Sequence, residues 1–165
     1  MSPRILALDL SLTATGYAHE GGSGVIRSRQ KGWERVHDLR QGVMALARSM
    51  DVVVIEGYAF HAQSRALYQI AGLGEIIRYS LWMRHIPYVD VNPMTLKKWS
   101  TGKGNCGKDQ MIAAAIHRHG FEGSDNNEAD SFLLYRMASV HYHGVDKTTK
   151  VELEQVRKVE WAVLA

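Results

Sequence analysis

The chain has 165 residues, of which 45% are hydrophobic and 22% are charged, and these values fit one globular domain while excluding disordered, collagen-like and coiled-coil classes. A single cysteine, Cys106, excludes an internal disulfide and a cysteine-based zinc site and favours a reducing, cytoplasmic location. No run approaches the roughly 20 apolar residues of a membrane span, and the formal charge of +3 is compatible with a polyanionic partner without requiring one.

The first third of the sequence predicts a sheet and one helix. Strands are predicted at 5–10, 16–19 and 25–29, the last two around a glycine-rich turn, which makes an antiparallel meander. The first of these strands carries Asp9 at its end. Apolar residues at helical spacing from 33 to 50 predict an amphipathic helix. The β-branched run 51–56 then ends on Glu56 and predicts a strand within a parallel sheet covered on both faces.

The rest of the sequence predicts helices around one further strand. Residues 64–84 form a long helix with apolar residues on more than one face, so we expect a partner to cover part of it. A strand at 86–91 precedes Asn92, the N-cap of a short helix. Later helices are predicted at 108–119 and 126–140, after a glycine-rich loop at 101–107. We expect an α/β domain over 1–145, with a mixed five-stranded sheet flanked by helices, and a C-terminal helical extension over 146–165.

Three carboxylates occupy similar positions, because Asp9 and Glu56 end strands and Asp130 lies near the start of a helix. Ligands gather at the carboxyl ends of such strands, and converging carboxylates repel unless a cation lies between them. The set therefore predicts a Mg²⁺ or Mn²⁺ site, and two such ions would support phosphodiester hydrolysis. The alternatives are a turn aspartate, a surface glutamate and an acid in a capped first helical turn. The cost of burying an acid favours function for Asp9, whereas Asp130 stays open.

Four ordered segments carry a more specific set of motifs. They are Asp9-Leu10-Ser11 through Gly16, the strand end Val54-Ile55-Glu56, the run from Val91-Asn92-Pro93 through Thr101-Gly102-Lys103-Gly104 to Gly107-Lys108-Asp109-Gln110-Met111, and the helical Glu128-Ala129-Asp130-Ser131. Together they resemble the RuvC family of Holliday-junction resolvases. The resemblance implies an RNase H-like fold, a homodimer and Mg²⁺-dependent paired nicking of four-way DNA junctions. The short length suits a bacteriophage member acting in the host cytoplasm.

The resemblance also implies roles for individual acids. Asp9, Glu56 and Asp130 match the family's catalytic, metal-binding acids, which hold two Mg²⁺ ions per site, with Mn²⁺ as a substitute. The family's fourth ligand, three residues before the last aspartate, is Asn127 here. An amide oxygen coordinates Mg²⁺ more weakly than a carboxylate, and helix capping is the alternative role of Asn127. Glu128 offers the missing charge, but it points away from Asp130 in a regular helix, and a capping box explains it.

The resemblance also implies DNA-binding roles for some basic residues. Lys97 and Lys108 match the family's lysines that face DNA phosphates near the metals, and we assign Lys108 to the catalytic centre as well. Lys103, in the glycine-rich loop that permits close approach to phosphates, is assigned to DNA binding. Without the resemblance, the sequence favours a solvated helix face for Lys97, and scattered surface cations are the alternative for Lys103.

Aromatic and apolar residues complete the prediction. Tyr58 and Phe60 follow Glu56 in a predicted loop, and we choose Phe60 as the aromatic that wedges against unstacked bases at a junction centre, with simple packing as the alternative. The homodimer is predicted through the helix 64–84, where charged substitutions at Leu73 and Ile77 should dissociate it.

The sequence thus predicts a structure-selective endonuclease that resolves Holliday junctions. Two alternatives stay open. One is a related RNase H-fold nuclease that acts on RNA or on other branched DNA, and the other is a junction-binding protein that has lost catalysis. The three intact acids argue against the second alternative.

Overall fold

A computed structural model of the chain describes residues 2–58, 65–144 and 148–164. The strands within these ranges are β1 (Ile5–Asp9), β2 (Thr15–His19), β3 (Gly22–Ile26), β4 (Val52–Glu56) and β5 (Tyr88–Val91). The helices are α1 (Gly32–Ala47), α2 (Arg65–Trp82), α3 (Pro93–Thr101), α4 (Lys108–His119), α5 (Asn126–His143) and α6 (Lys150–Val156). The predicted elements are therefore present, with ends that differ by a few residues.

The strands form one mixed sheet in the order β3-β2-β1-β4-β5. β2 pairs antiparallel with both β1 and β3, whereas β4 pairs parallel with both β1 and β5. The predicted meander and the predicted parallel half are both confirmed. Because β1, β4 and β5 run in the same direction, their carboxyl ends lie at one edge of the sheet.

Each face of the sheet carries its own apolar core. Ile5 and Ala7 of β1 and Val52 and Val54 of β4 pack with α3, α4, α5 and α6. Leu6, Leu8, Val53 and Ile55, which alternate with them, pack with α1 and α2. Since side chains alternate between the faces of a strand, Asp9 follows Ala7, and Glu56 follows Val54, onto the face that α5 covers. The sandwiched sheet explains why both strands are continuous apolar runs.

Helix α5 lies at the centre of the α3–α6 layer. It packs against β1, β2 and β4 and also against α4 and α6. Its buried residues are spread around the helix: Ala129, Ser131, Leu133, Leu134, Met137, Ala138 and Ser139. Asp125 caps its first turn by accepting hydrogen bonds from the backbone N–H groups of Asn127 (2.9 Å) and Glu128 (3.3 Å). The cap and the packing fix the helix that carries Asp130.

The start of α3 follows the predicted signals. The Asn92 side chain accepts a hydrogen bond from the Met94 N–H at 2.8 Å, and Pro93 occupies the first helical position. A proline there loses nothing, because the first backbone N–H groups of a helix have no partner within it. α3 thus starts directly after β5, at the same sheet edge as Asp9 and Glu56.

The C-terminal segment packs on the helices before it. Thr149 caps α6, Glu152 pairs with Arg118 at 3.2 Å, and the Trp161 indole N–H donates to the Val156 carbonyl at 2.8 Å. The predicted boundary near 145 lies outside the described residues, so the division into a domain and an extension stays a prediction. Across the described ranges, no helix combines the length and the apolar character that crossing a bilayer requires.

Helix α2 corrects one prediction. Leu73 and Ile77 are fully buried in the core between α1, α2 and the sheet, so charged residues there would unfold the monomer and are the wrong probes of a dimer. The surplus apolar surface lies elsewhere on the helix. Tyr68, Tyr79 and Trp82 are 70%, 62% and 65% exposed, and their spacing places them along one side of α2. We call these three residues the α2 stripe.

Candidate active site

The structure brings the three predicted carboxylates together. Asp9 ends β1 and Glu56 ends the adjacent parallel strand β4, while Asp130 lies in the second turn of α5. One carboxylate oxygen from each residue lies within 4.8 Å of the others, and all three residues are partly buried. Three converging oxygen ligands are a suitable donor set for a hard divalent cation.

The strand pairing explains why Asp9 and Glu56 are neighbours. Leu8 pairs with Ile55 in the parallel β1–β4 ladder, so the next residue of each strand is a carboxylate on the α5 face. Both side chains reach the end of the sheet where their strands stop. Residues at that edge project beyond the packed core, where a ligand can enter.

Gly16 positions α5 over these strand ends. It pairs with Asp9 in the β1–β2 ladder. A Cβ atom built on Gly16 would lie 2.5 Å from the carbonyl carbon of Asn127 and still closer to its oxygen, so the first turn of α5 rests directly on the backbone of β2. Asn127 precedes Asp130 by three residues and thus lies on the same side of the helix. The absence of a side chain at Gly16 therefore sets how closely Asp130 approaches Asp9.

The electrostatics of the site favour binding of a cation. Burial, followed by the negative charge of Asp130, raises the pKa of Asp9 to about 7. Burial raises the pKa of Asp130 to about 6. Burial, followed by the charges of Asp9 and Asp130, raises the pKa of Glu56 well above its ordinary value. Without a cation the three carboxyls are therefore not all ionised at neutral pH, and a divalent ion would relieve both the repulsion and the desolvation.

Two of the predicted lysines act on this site. Lys97 is half-buried on α3, and Lys108 is exposed at the first position of α4. The charge of Lys108 lowers the pKa values of all three acids, and that of Lys97 lowers those of Glu56 and Asp130. Both thus contribute positive charge at the carboxylates, which favours an anion beside them.

Lys103 lies elsewhere. It is exposed in the loop between α3 and α4, where its backbone N–H donates to the Thr101 hydroxyl at 3.1 Å. It lines a surface depression together with His117 and Arg118. This places Lys103 on a basic flank of the molecule, beside the glycine-rich loop that leads to Lys108.

The start of α5 corrects the interpretation of Glu128. Asp125 forms its half of the predicted capping box, but Glu128 Oε1 accepts a hydrogen bond from the Ser23 hydroxyl at 2.7 Å. Ser23 lies on β3, so Glu128 fastens α5 to the sheet. The sequence has no local signal for this partner, because the two residues are far apart along the chain. Asn127 is half-buried in the first turn of α5, and its role as a ligand stays a prediction.

The structure describes one of the two aromatic residues predicted to follow Glu56 in a loop. Phe60 lies outside the described residues. Tyr58 is inside them and packs inward, because its hydroxyl accepts a hydrogen bond from Arg78 Nη1 at 2.8 Å and donates one to the Ala71 carbonyl at 3.2 Å. The sequence predictions did not include Arg78. The available signal was the position of an arginine within an apolar helical pattern, where its side chain is buried.

Comparison with known proteins gives a clear answer for the fold. No protein-family model matches the chain, and no curated protein matches it. The structure of T. thermophilus RuvC in complex with a Holliday junction substrate matches with a TM-score of 0.69 at 17% sequence identity, covering 86% of this chain and 96% of the other. The chain has the fold of the RuvC resolvases. The predicted RNase H-like fold is confirmed.

Two further solved structures agree. A second Thermus thermophilus RuvC structure matches this chain with a TM-score of 0.67 and 19% identity. The match covers 88% of this chain and 99% of the RuvC chain. The yeast mitochondrial Holliday junction resolvase Ydc2 matches with a TM-score of 0.51 and 14% identity, over 95% of this chain and 81% of its own. The likeness to RuvC thus extends through nearly the whole length of the compared chains.

Proposed function

We propose that this chain is a metal-dependent endonuclease that resolves four-way DNA junctions by paired nicking. The observation that carries the proposal is the convergence of Asp9, Glu56 and Asp130 within 4.8 Å at the carboxyl ends of β1 and β4. Support comes from the fold, which is also that of the T. thermophilus RuvC structure in complex with a Holliday junction substrate. Convergent acids of this kind suit phosphodiester hydrolysis.

In this proposal the acids hold Mg²⁺, with Mn²⁺ as a substitute, and two ions occupy each site. Asn127 is the fourth ligand. When bound, the ions would supply Lewis-acid activation for hydrolysis of a phosphodiester. The raised pKa values of Asp9 and Asp130 support this assignment, because these carboxyls gain more from a cation than exposed acids would.

The lysines bind and orient the DNA backbone. Lys97 and Lys108 contact the phosphate that reacts, and Lys108 also stabilises the negative charge that develops in the transition state. Lys103 contacts a phosphate further along the strand and contributes to affinity alone. Phe60 inserts against unstacked bases at the junction centre.

A homodimer matches the two-fold symmetry of a four-way junction and supplies two sites for paired incisions. We place its interface on the α2 stripe, because Tyr68, Tyr79 and Trp82 are large apolar side chains left exposed along one side of α2, and such exposure marks an interface. A cytoplasmic location is supported by the single, buried Cys106, since a protein of this size without disulfides suits a reducing compartment.

The test is a Mg²⁺-dependent nicking assay on four-way, forked and flap DNA and on an RNA–DNA hybrid. We expect paired nicks in the four-way junction and much slower cutting of the others. Asp9→Asn, Glu56→Gln and Asp130→Asn should each abolish cleavage and leave junction binding largely intact. Asp51→Asn is the matched control. Asp51 is an acid that pairs with Arg4, and it lies just before the first residue of β4, at the other end of the strand from Glu56.

The outcomes separate the alternatives. Preferential cutting of the hybrid or of flaps would identify a related nuclease with another substrate. Junction binding without cutting at saturating Mg²⁺ would identify a binding protein. Nicking that survives any one of the three substitutions would remove that residue from the site.

A further inference from the structure

A buried arginine connects α2 to the end of β4. Arg78 is only 7% exposed, and its guanidinium donates hydrogen bonds to the Asp90 carboxylate on β5 and to the Tyr58 hydroxyl at 2.8 Å. It also forms an ion pair with Glu75 at 3.4 Å. The planar guanidinium serves these three partners at once because its donors point in fixed, different directions. Arg78 therefore ties the helix, β5 and the loop after β4 to one point.

The tyrosine that this arginine holds lies two residues after Glu56. The Gly57 N–H donates to the Val91 carbonyl of β5 at 2.8 Å. The Tyr58 hydroxyl donates to the Ala71 carbonyl of α2 at 3.2 Å while it accepts from Arg78. The backbone next to Glu56 is thus fixed on one side to the sheet and on the other to α2.

Gly74 makes room for this contact. A Cβ atom built on Gly74 would lie 2.8 Å from Tyr58 Cζ, closer still to its hydroxyl oxygen, and 2.6 Å from Arg78 Nη1. Alanine is favoured over glycine within a helix, so a helix that had only to be stable would gain from a side chain here. The glycine instead allows the Tyr58 hydroxyl to reach the backbone of α2.

We propose that Arg78, acting through Tyr58, is a positioning residue that fixes Glu56 for metal binding. The inference rests on the proposed function for its catalytic consequence, but its effect on metal affinity is independent of any DNA substrate. Glu56 ends its strand, so among the described residues the Gly57–Tyr58 segment is the one that restrains its backbone from the C-terminal side. Groups that orient a metal ligand commonly change metal affinity or activity by about 10- to 100-fold when they are removed.

The test compares Tyr58→Phe, Arg78→Gln and Arg78→Lys with the unchanged protein. Tyr58→Phe keeps the ring and removes only the hydroxyl that joins Tyr58 to Arg78 and to the Ala71 carbonyl of α2. The first readout is Mn²⁺ affinity, measured by titration calorimetry without DNA. The second is the single-turnover cleavage rate of a four-way junction at saturating enzyme, measured across Mn²⁺ concentrations together with junction affinity in EDTA.

We expect Tyr58→Phe and Arg78→Gln to bind Mn²⁺ about 10-fold more weakly, to cleave more slowly at low Mn²⁺, and to recover in part at high Mn²⁺. Junction affinity should not change. Arg78→Lys should lie closer to Arg78→Gln than to the unchanged protein, because one ammonium cannot reproduce the fork between Asp90 and Tyr58. Gly74→Ala should weaken Mn²⁺ binding despite the better helix propensity of alanine.

Arg118→Gln is the matched control for lost stability. Arg118 also joins separate elements, because it donates to the Ser100 carbonyl at 2.6 Å and pairs with Glu152. Within the described ranges, no hydrogen bond or ion pair links it to the three carboxylates. It should lower the melting temperature and leave Mn²⁺ affinity unchanged. Folded Tyr58→Phe protein with unchanged Mn²⁺ affinity would overturn the inference, as would an equal loss in Arg118→Gln. If the unchanged protein cuts no DNA, the proposed function fails while the calorimetry still decides this inference.

Discussion

Replacing Gly16 by alanine should separate Asp130 from Asp9 without removing any functional group. The new methyl carbon would lie 2.5 Å from the Asn127 carbonyl carbon. Ordinary contacts between such atoms begin at about 3.5 Å, so the first turn of α5 has to move by about 1 Å. The obstacle is backbone on both sides, and no side-chain rotation relieves it.

The displacement predicts two magnitudes. Overpacking of this kind destabilises a protein by about 1–3 kcal/mol. A shift of about 1 Å between groups that act together slows a reaction by about 100-fold. We therefore expect Gly16→Ala to melt at a lower temperature, to bind Mn²⁺ more weakly, and to cleave a four-way junction about 100-fold more slowly in single-turnover assays, with junction affinity retained.

Gly42→Ala provides the control. A Cβ atom on Gly42 would lie 2.7 Å from Ile26 Cγ2, so the substitution also overpacks a glycine contact, but on the opposite face of the sheet from α5. It should reduce stability and leave cleavage at the original rate. If Gly16→Ala loses stability but cleaves as fast as Gly42→Ala, then Gly16 does not set the position of Asp130 and the reasoning fails.

Three further predictions concern charge and assembly. Lys108→Ala should slow single-turnover cleavage at least about 10-fold with little loss of junction affinity. Lys103→Ala should instead weaken junction binding, reduce the salt slope of that binding by about one and leave the cleavage rate of bound DNA unchanged. Equal cleavage rates in both variants would remove Lys108 from the catalytic centre. Because burial and a neighbouring charge raise the pKa of Asp9 to about 7, the native state binds more protons than the unfolded state between about pH 4 and pH 7, so the metal-free protein should lose stability as pH rises through this window. At pH 8, metal-free Asp9→Asn should therefore melt at a higher temperature than the unchanged protein, with an unfolding free energy larger by up to about 4 kcal/mol. A lower melting temperature would contradict the electrostatic account. Trp82→Glu should give a folded monomer by light scattering, whereas Leu73→Ala should lower the free energy of unfolding by about 2–5 kcal/mol. A dimer that persists in Trp82→Glu would place the interface away from the α2 stripe.

The strand ends of the site were predictable from the sequence because local pattern and position coincide there. Each of β1 and β4 is a short apolar run that stops at an acid. A parallel, two-sided sheet places such residues at one edge whatever the details of packing. Asp130 was less certain, since an acid near a helix start also serves the helix, and only the docking of α5 distinguishes the two roles.

The missed features depend on contacts between distant residues. Periodicity shows that α2 is apolar on several sides, but it does not tell which side the sheet covers, and so Leu73 and Ile77 were assigned to the wrong surface. The capping-box pattern at Glu128 was correct for Asp125 only, because Ser23 competes for the Glu128 carboxylate. Asn127, Phe60 and Lys103 keep their proposed roles as predictions.

The site draws its acids from distant parts of the chain, and this has a consequence for synthesis. β1 and β4 are made before α5, which must then dock on β2 through Gly16. A nascent or prematurely terminated chain thus carries two of the three ligands and lacks the helix that supplies the last. On the proposed function, the enzyme is unable to cut DNA until α5 has been made and has docked on the sheet.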